Sequence, residues 1–209
     1  MEYAAVIVAA GKGSRMNLGY NKVYYKLDDK CILEHTIAKF KADKDCKQII
    51  VVCDKADFQA NIDDHQVILV DGGATRSDSV YNGLLRVEMA YVMIHDGARP
   101  YVSNQILTDV KTCLRDHDAC VVMVKCKDTI KRVIDGKVEL TYDRSTLMQA
   151  QTPQAFKTTK IIACYQKAIV DQAVTSDDAS VYELYGQDAV YCVEGSYDNI
   201  KITTIEDLK

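Results

Sequence analysis

The glycines and cations that follow the first apolar run of the chain could bind an anion. Residues 3–8 are short and apolar, which is typical of a strand buried on both faces. Gly11 and Gly13 follow, and glycine lets consecutive backbone N–H groups turn toward a negatively charged ligand. Arg15 and Lys22 add positive charge beside this loop. The combination predicts a phosphate-binding site near the start of the chain.

Two common phosphate-binding motifs do not match this loop. The Walker pattern G-x-x-x-x-G-K-[ST] is absent, because Lys12 precedes Gly13 instead of following it. The dinucleotide pattern G-x-G-x-x-G begins at Gly11 and Gly13 but has Met16 at its third position. The sequence therefore favours neither a P-loop NTPase nor a nicotinamide enzyme. A tight strand-to-helix turn with solvated cations is the alternative.

The bulk composition is that of an ordinary globular protein. The chain has 209 residues, 48% of them hydrophobic, and a net charge of −4. A negative chain is not expected to bind nucleic acid over a general surface, and no apolar run approaches the roughly 20 residues that span a membrane. The eight cysteines form no C-x-x-C pair, and no secretory leader is evident. We therefore expect a cytoplasmic protein in which Cys53, Cys120, Cys126 and Cys192 are buried as small apolar residues.

Strand and helix patterns alternate along most of the chain. Strands are predicted at 3–8, 48–53, 67–70, 91–94, 119–124, 189–193 and 200–203, and helices at 32–40, 55–61, 77–87, 104–114, 157–170 and 178–185. This alternation predicts an α/β fold, with a doubly wound, mostly parallel Rossmann-like sheet, in a single domain over residues 1–209. Ligands of such sheets bind at the carboxyl ends of the strands, so the loops after strands 1, 3 and 4 should converge on one crevice.

The regular alternation breaks at residues 129–142. Hydrophobic and polar residues alternate there around Asp135-Gly136, a dipeptide typical of a two-residue hairpin turn. A lone hairpin is marginally stable in water. We therefore predict a projecting β-hairpin arm, over about 129–150, that is stabilised by a second subunit. An edge hairpin of the main sheet is the alternative.

Five polar strings could carry chemistry. Each also has a simple structural interpretation: helix capping for Ser77 or Ser79, an ion pair for Asp96 and Arg99, and a helix start for 151–154. The strings are Gly72-Gly73-Ala74-Thr75-Arg76-Ser77-Asp78-Ser79, His95-Asp96-Gly97-Ala98-Arg99-Pro100, Gln151-Thr152-Pro153-Gln154, Ser176-Asp177-Asp178-Ala179-Ser180 and Asp198-Asn199-Ile200-Lys201-Ile202-Thr203.

Taken together, the order and spacing of these strings are far more specific than any one of the strings alone. With Ala9-Ala10-Gly11-Lys12-Gly13-Ser14-Arg15-Met16, they make the chain resemble the 2-C-methyl-D-erythritol 4-phosphate cytidylyltransferase family. The resemblance implies a nucleotidyltransferase-type sheet and a homodimer joined by swapped arms. Two positions depart from the family pattern. Asn21 stands where a proline usually precedes the lysine, and Ala74 stands where relatives often have an acidic residue.

The resemblance also implies an activity and a set of site residues. The reaction would transfer a cytidylyl group from CTP to 2-C-methyl-D-erythritol 4-phosphate, with Mg²⁺ bound to the triphosphate. Catalysis is assigned to Arg15 and Lys22, and CTP binding to Ala9, Ala10, Gly11, Lys12, Gly13, Gly73, Arg76 and Ser79. Sugar-phosphate binding is assigned to Asp96, Arg99, Thr129, Arg144, Thr152, Ser176 and Lys201, and metal binding to Asp96 and Asp198.

Two alternative functions remain open from the sequence. A ribitol 5-phosphate cytidylyltransferase would share the fold, the nucleotide and the mechanism. Its HD-x-x-RP string usually carries Ser-Val where this chain has Gly97-Ala98, and its last motif usually lacks the residue found at Asp198. A non-catalytic nucleotide-binding regulator would tolerate loss of Arg15, Lys22 and the two carboxylates, all of which are present.

Overall fold

The central sheet is assembled from strands spread over almost the whole chain. The computed structural model describes residues 1–11, 16 and 19–208. Its strands are β1 (Tyr3–Val8), β2 (Lys26–Leu27), β3 (Lys30–Cys31), β4 (Cys46–Cys53), β5 (Ile68–Asp71), β6 (Tyr91–Asp96), β7 (Ala119–Lys125), β8 (Lys131–Ile134), β9 (Lys137–Thr141), β10 (Met148–Lys157) and β11 (Tyr191–Glu194). Its α-helices are α1 (Ile32–Lys41), α2 (Lys55–Asn61), α3 (Arg76–Leu84), α4 (Asn104–Asp116), α5 (Thr158–Val170) and α6 (Asp178–Tyr185).

Within the described residues, seven of these strands form one sheet in the order β11-β7-β10-β6-β1-β4-β5. Strand β10 runs antiparallel to β6 and β7, and the other neighbouring pairs are parallel. The carboxyl ends of all the parallel strands therefore lie at one edge of the sheet. The amino-terminal half of β10 lies at that same edge.

Helices cover both faces of this sheet. Alternate residues of a strand point to opposite faces, and in β1 Ala5 and Ile7 pack in one apolar cluster while Val6 packs in another. The first cluster includes side chains of α1, α2 and α4, and the second includes side chains of α3, α5 and α6. This doubly wound, mostly parallel arrangement confirms the fold predicted from the sequence.

Most predicted elements occur within three residues of their predicted ends, but two expectations are wrong. Residues 151–154 do not begin a helix; they lie inside β10, with a cis peptide bond between Thr152 and Pro153. Residues 200–203 are not a strand, because the described backbone hydrogen bonding between them and the main fold is one bond, from Ile202 N to Ala98 O at 2.9 Å. A strand needs a ladder of such bonds.

Strands β8 and β9 form the predicted hairpin. They pair only with each other among the described residues, so the hairpin projects and is not an edge of the main sheet. Asp135 and Gly136 both have positive φ, at 49° and 75°, as a tight two-residue turn of this type requires. Residues 148–150, at the end of the predicted arm, belong to β10 of the main sheet.

The cysteines are all free thiols, and most of them are buried or half-buried. Cys53 and Cys120 are buried as predicted, and Cys126 is half-buried. The expectation for Cys192 is wrong: it is exposed, because β11 is the edge strand of the sheet. No helix in the described part of the chain combines the length and the apolar character needed to cross a membrane.

Candidate functional site

A cavity of about 450 Å³ opens at the carboxyl ends of β1 and β6. The loops after β1, β5 and β6 meet around it, which confirms that the predicted loops converge. The last part of the chain adds Lys201. The described lining residues are Val8, Ala9, Ala10, Gly11, Asn21, Lys22, Val23, Gly73, Ala74, Thr75, Arg76, Ser79, Asp96, Ala98 and Lys201.

The loop after β5 is held close to α3 by its glycines and by Ser79. A Cβ placed on Gly73 would lie 2.3 Å from Asp78 Cβ, so only glycine fits without moving the helix. The Ser79 hydroxyl accepts a hydrogen bond from Gly73 N at 3.0 Å and donates one to Thr75 O at 2.9 Å. Thr75 caps α3 and forms a capping box with Asp78, so the predicted cap at Ser77 or Ser79 is wrong. Ser79 fixes the loop instead.

Asn21 ties the Lys22 segment to the end of β1. Residues Lys22–Tyr24 form one turn of 3₁₀-helix, and Asn21 Oδ1 caps it by accepting from Val23 N at 3.3 Å. The Asn21 Nδ2 group donates to Ala9 O at 2.6 Å. Lys22 is 9% exposed and lines the cavity. The side chain that replaces the expected proline therefore anchors the segment through hydrogen bonds.

Asp96 is the centre of a charged cluster at the base of the cavity. Its Oδ2 lies 3.0 Å from Lys201 Nζ and 3.3 Å from Arg99 Nε, and its Oδ1 lies 4.0 Å from an Arg76 nitrogen. Burial opposes ionisation of this carboxyl, but Lys201, Arg76 and Arg99 outweigh it and lower the pKa to about 2. Asp96 is therefore ionised at neutral pH and holds Lys201 at the cavity wall.

A buried histidine supports the backbone of Asp96. His95 Nε2 lies 3.1 Å from Arg99 O, and a carbonyl only accepts, so Nε2 carries the proton. Burial lowers the pKa of His95 to about 4, so the ring is neutral and Nδ1 accepts from the Thr152 hydroxyl at 2.9 Å. Thr152 Oγ1 in turn accepts from Asp96 N at 3.1 Å. This chain of bonds locks β6 and β10 together beneath the cavity.

Arg76 is clamped from behind by a buried carboxylate. Its two terminal nitrogens donate to the two oxygens of Asp178, at 2.9 and 2.8 Å. Burial alone would lower the pKa of Arg76, but Asp178 outweighs it and raises that pKa. The guanidinium therefore remains charged where it borders the cavity.

The structure brings some of the predicted site residues together and places others apart. Those that line the cavity are Ala9, Ala10, Gly11, Lys22, Gly73, Arg76, Ser79, Asp96 and Lys201. Arg99 and Thr152 lie directly behind Asp96. Ser176, Thr129 and Asp198 are exposed and are not among its described lining residues. Lys12, Gly13 and Arg15 lie outside the described residues.

Arg144 lines a second cavity, at the base of the arm. This cavity lies between 125–127 and 143–145, and Arg144 donates to Lys127 O at 2.7 Å. Lys127 Nζ sits 3.7 Å from the centre of the Tyr197 ring, a cation–π contact. Arg144 and Lys127 therefore both line this cavity, at the point where the arm leaves the sheet.

Three buried polar residues of the site were not predicted. Asn199 donates to Thr152 O at 2.9 Å, and Gln154 donates to Asp177 Oδ2 at 2.8 Å. Asp178 pairs with Arg76 across 102 positions of sequence. All three lie in polar strings that the sequence singles out, but a single sequence does not show which residues of a string are buried.

The described residues contain no cluster of three metal-ligating side chains. Asp96 is the carboxylate that lines the cavity, and its Oδ1 is less engaged by neighbouring cations than its Oδ2. A Mg²⁺ ion bound mainly by phosphate oxygens needs only one or two carboxylates. Asp96 fits that requirement.

Comparison with known proteins gives one consistent family. A family model described as 2-C-methyl-D-erythritol 4-phosphate cytidylyltransferase matches residues 3–209. Curated relatives of that name from Bacillus cereus and Clostridioides difficile are each 41% identical to this chain. Both alignments cover 99% of it, and they cover 94% and 90% of the respective relatives.

Solved structures agree with this assignment. The 4-diphosphocytidyl-2C-methyl-D-erythritol synthase of Anaerococcus prevotii matches with a TM-score of 0.88 and 31% identity, over 99% of this chain and 94% of that one. The 2-C-methyl-D-erythritol 4-phosphate cytidylyltransferase of Francisella tularensis matches with a TM-score of 0.86 and 30% identity, over 100% and 97%. These matches, over nearly the whole chain, show that it belongs to the 2-C-methyl-D-erythritol 4-phosphate cytidylyltransferase family.

Proposed function

We propose that this protein transfers a cytidylyl group from CTP to 2-C-methyl-D-erythritol 4-phosphate, a step in isoprenoid precursor synthesis. The observation that carries the proposal is the cavity at the carboxyl ends of β1 and β6, lined by Lys22, Arg76, Asp96 and Lys201 in a chain of this family. A phosphate oxygen of the sugar alcohol attacks the α-phosphorus of CTP. The bond from that phosphorus to the bridging oxygen breaks, and pyrophosphate leaves with the electron pair.

The chemistry requires charge stabilisation more than proton transfer. The attacking phosphate oxygen is already an anion, so no general base is needed, and the main obstacle is bringing two polyanions together. We assign Arg15 and Lys22 to the charge that builds on the α-phosphate and the leaving group. Lys12 and Arg76 bind the triphosphate, and backbone groups at Ala9, Ala10 and Gly73 read the cytosine.

Asp96 and Lys201 form the boundary between the two substrates in this proposal. Lys201 is held by Asp96 at 3.0 Å and lines the cavity, so its ammonium group is oriented before the sugar phosphate arrives. Mg²⁺, bound by triphosphate oxygens and Asp96, would neutralise part of the triphosphate charge. The assignment of Asp198 to the same ion rests on the sequence resemblance alone.

One assay separates the possible substrates. The purified protein is incubated with each nucleoside triphosphate and either 2-C-methyl-D-erythritol 4-phosphate or ribitol 5-phosphate, and pyrophosphate release is measured. We expect the highest kcat/KM with CTP and the erythritol phosphate. A site that hydrogen-bonds hydroxyl groups can reject a mismatched analogue by up to ~10⁴-fold. A preference for ribitol 5-phosphate would overturn the sugar assignment. No turnover with any pair of substrates would favour the alternative of a non-catalytic nucleotide-binding regulator.

Substitution of the two assigned cations tests their role. Lys22→Ala and Arg15→Ala should each lower kcat by about 10²–10³-fold, because each removes one group that stabilises transition-state charge. Near-normal turnover in variants that retain the wild-type thermal transition would refute the assignment.

We also propose that the protein is a homodimer joined through the arm. Val133, Ile134, Val138 and Leu140 of the hairpin are between 44% and 61% exposed. Contiguous exposed apolar side chains of this kind mark protein contacts. In this arrangement Thr129 and Arg144, at the base of the arm, reach the partner's site and help bind the sugar phosphate.

Light scattering at micromolar concentration tests the dimer. Val138→Lys should give monomers with little activity, since it buries a charge in the proposed contact. Val170→Lys is the matched control, because Val170 is an exposed valine on α5 outside the arm. An active wild-type monomer would contradict the proposal.

The eight free thiols support a location in the reducing cytoplasm, which we also propose.

A further inference from the structure

The carboxylate of Asp178 is completely buried, yet it has no part in the chemistry proposed above. It receives two hydrogen bonds from Arg76, at 2.9 and 2.8 Å, and one from the Tyr165 hydroxyl at 2.6 Å. A buried carboxylate is costly unless it is paired and hydrogen-bonded, and here both conditions are met. Such an arrangement implies a specific task for the charge.

Capping of α6 does not explain why a carboxylate is buried at Asp178. The N-cap of that helix is Asp177, whose side chain accepts from Ser180 N at 2.9 Å. Gln154 of β10 braces the same turn, because its Oε1 accepts from Ala179 N at 2.8 Å. The start of α6 is therefore already held in place without the contact between Asp178 and Arg76.

The contact fixes the orientation of the Arg76 guanidinium. The two-point contact uses one N–H of each terminal nitrogen and leaves three of the five N–H donors. One terminal nitrogen also lies 4.0 Å from Asp96 Oδ1, beyond hydrogen-bond distance. Arg76 thus stands between two carboxylates, in contact with the buried one and separated from the one in the cavity.

We infer that Asp178 is a positioning residue, which keeps Arg76 directed into the cavity and away from Asp96. The inference rests on the proposed function. Without the charge of Asp178, the nearest carboxylate for the guanidinium is Asp96, and a shift of about 1 Å would close the 4.0 Å gap to an ordinary charge-assisted hydrogen bond. Arg76 would then leave the triphosphate, and its existing 4.0 Å ion pair with Asp96 would become a direct hydrogen bond beside those of Lys201 and Arg99.

Asp178→Asn tests this directly, because it keeps the shape and the hydrogen bond to Tyr165 but removes the charge. We expect kcat to fall by about 10²-fold, as for a displacement of about 1 Å in a positioned group. CTP affinity measured by calorimetry without metal should also weaken by about tenfold. A crystal structure of the variant should show Arg76 in contact with Asp96. An unchanged kcat and CTP affinity would overturn the inference.

A double-variant comparison separates positioning from simple loss of stability. If Asp178 acts through Arg76, then Arg76→Gln should be harmful alone but nearly neutral when added to Asp178→Asn. Equal effects of Arg76→Gln in the two backgrounds would contradict the inference. Tyr165→Phe is the matched control, since it removes a hydrogen bond to the same carboxylate without changing charge. It should lower the melting temperature while leaving CTP affinity within about twofold of wild type.

Asp178→Glu and the wild-type protein provide two further tests. Should Asp178→Asn lack the wild-type thermal transition, Asp178→Glu keeps the charge but displaces it by one methylene, and the same weakening of CTP binding is expected. Wild-type protein that binds CTP but transfers nothing to either sugar phosphate would defeat the proposed function alone. An active wild type with an equally active Asp178→Asn would defeat the inference alone.

Discussion

Asn21 offers the sharpest test of how this chain positions Lys22, the lysine that we assign to catalysis. The backbone at Asn21 has φ −67° and ψ 122°, which proline also adopts, so a proline would fit here without a change of backbone conformation. What differs is how the conformation is held. The chain uses two side-chain hydrogen bonds, to Ala9 O at 2.6 Å and from Val23 N at 3.3 Å.

The magnitude follows from those two bonds. Each intramolecular hydrogen bond contributes roughly 0.5–1.5 kcal/mol, so Asn21→Ala should destabilise the positioned segment by about 1–3 kcal/mol. Since 1.4 kcal/mol is a factor of ten, the population of the positioned Lys22 should fall by about 5- to 150-fold relative to displaced forms. Asn21→Pro also loses both bonds, but it restricts the backbone and recovers about 0.4–1 kcal/mol. The expected order of kcat is wild type, then Asn21→Pro, then Asn21→Ala.

The assay is pyrophosphate release under saturating CTP, combined with hydrogen exchange of residues 19–25. The matched control is Asn61→Ala, which removes a similar amide bond, from Asn61 Nδ2 to Asp57 O at 2.8 Å, on helix α2. That variant should keep wild-type kcat. A kcat for Asn21→Ala within twofold of wild type, with unchanged exchange, would refute the reasoning. A lower kcat for Asn21→Pro than for Asn21→Ala would also refute it.

Two further predictions concern stability. The folded-state pKa of His95 is about 4, against an ordinary value of 6.5, so the unfolded chain binds a proton first as the pH falls. The contribution of neutral His95 to the free energy of unfolding is therefore complete above pH 6.5 and is lost toward pH 4. In urea unfolding, the wild type should lose about 2–3 kcal/mol more than His95→Gln between pH 7 and 4.5. Parallel plots of unfolding free energy against pH for the two proteins would contradict this. Gly73→Ala places a Cβ 2.3 Å from Asp78 Cβ and should cost about 1–3 kcal/mol in the same assay, whereas an unchanged unfolding midpoint would show that the loop accommodates a side chain.

The apolar pattern was sufficient to predict the sheet and its binding edge. Strands such as β1 and β4 are short apolar runs followed by polar loops, and burial on both faces leaves few alternatives for them. Strand β10 lacks that signal, because Gln151, Thr152 and Gln154 are polar and yet buried. They are satisfied by hydrogen bonds to groups distant in the chain, which local periodicity does not detect.

The site residues likewise divide into those that a local sequence pattern marks and those that it does not. Glycine and charge strings located the loops that carry Lys22, Arg76 and Asp96, because backbone turns and solvated cations leave local marks in a sequence. The partners of these residues left no such mark. Asp178 lies in the first turn of α6, where an acidic residue is an ordinary feature of a sequence, yet its carboxylate pairs with Arg76, 102 positions earlier in the chain. Pairing across the fold depends on topology, which a single chain pattern constrains only loosely.

The reversed direction of β10 has a thermodynamic consequence. The strand begins where the arm ends and carries Thr152, which accepts from Asp96 N within its first five residues. One strand therefore connects the surface proposed for the partner subunit with the base of the cavity. If substrate and partner both favour the same placement of β10, the two binding equilibria are linked, and linkage is reciprocal. The factor by which dimerisation raises the affinity for the sugar phosphate would then equal the factor by which the sugar phosphate raises the affinity between subunits.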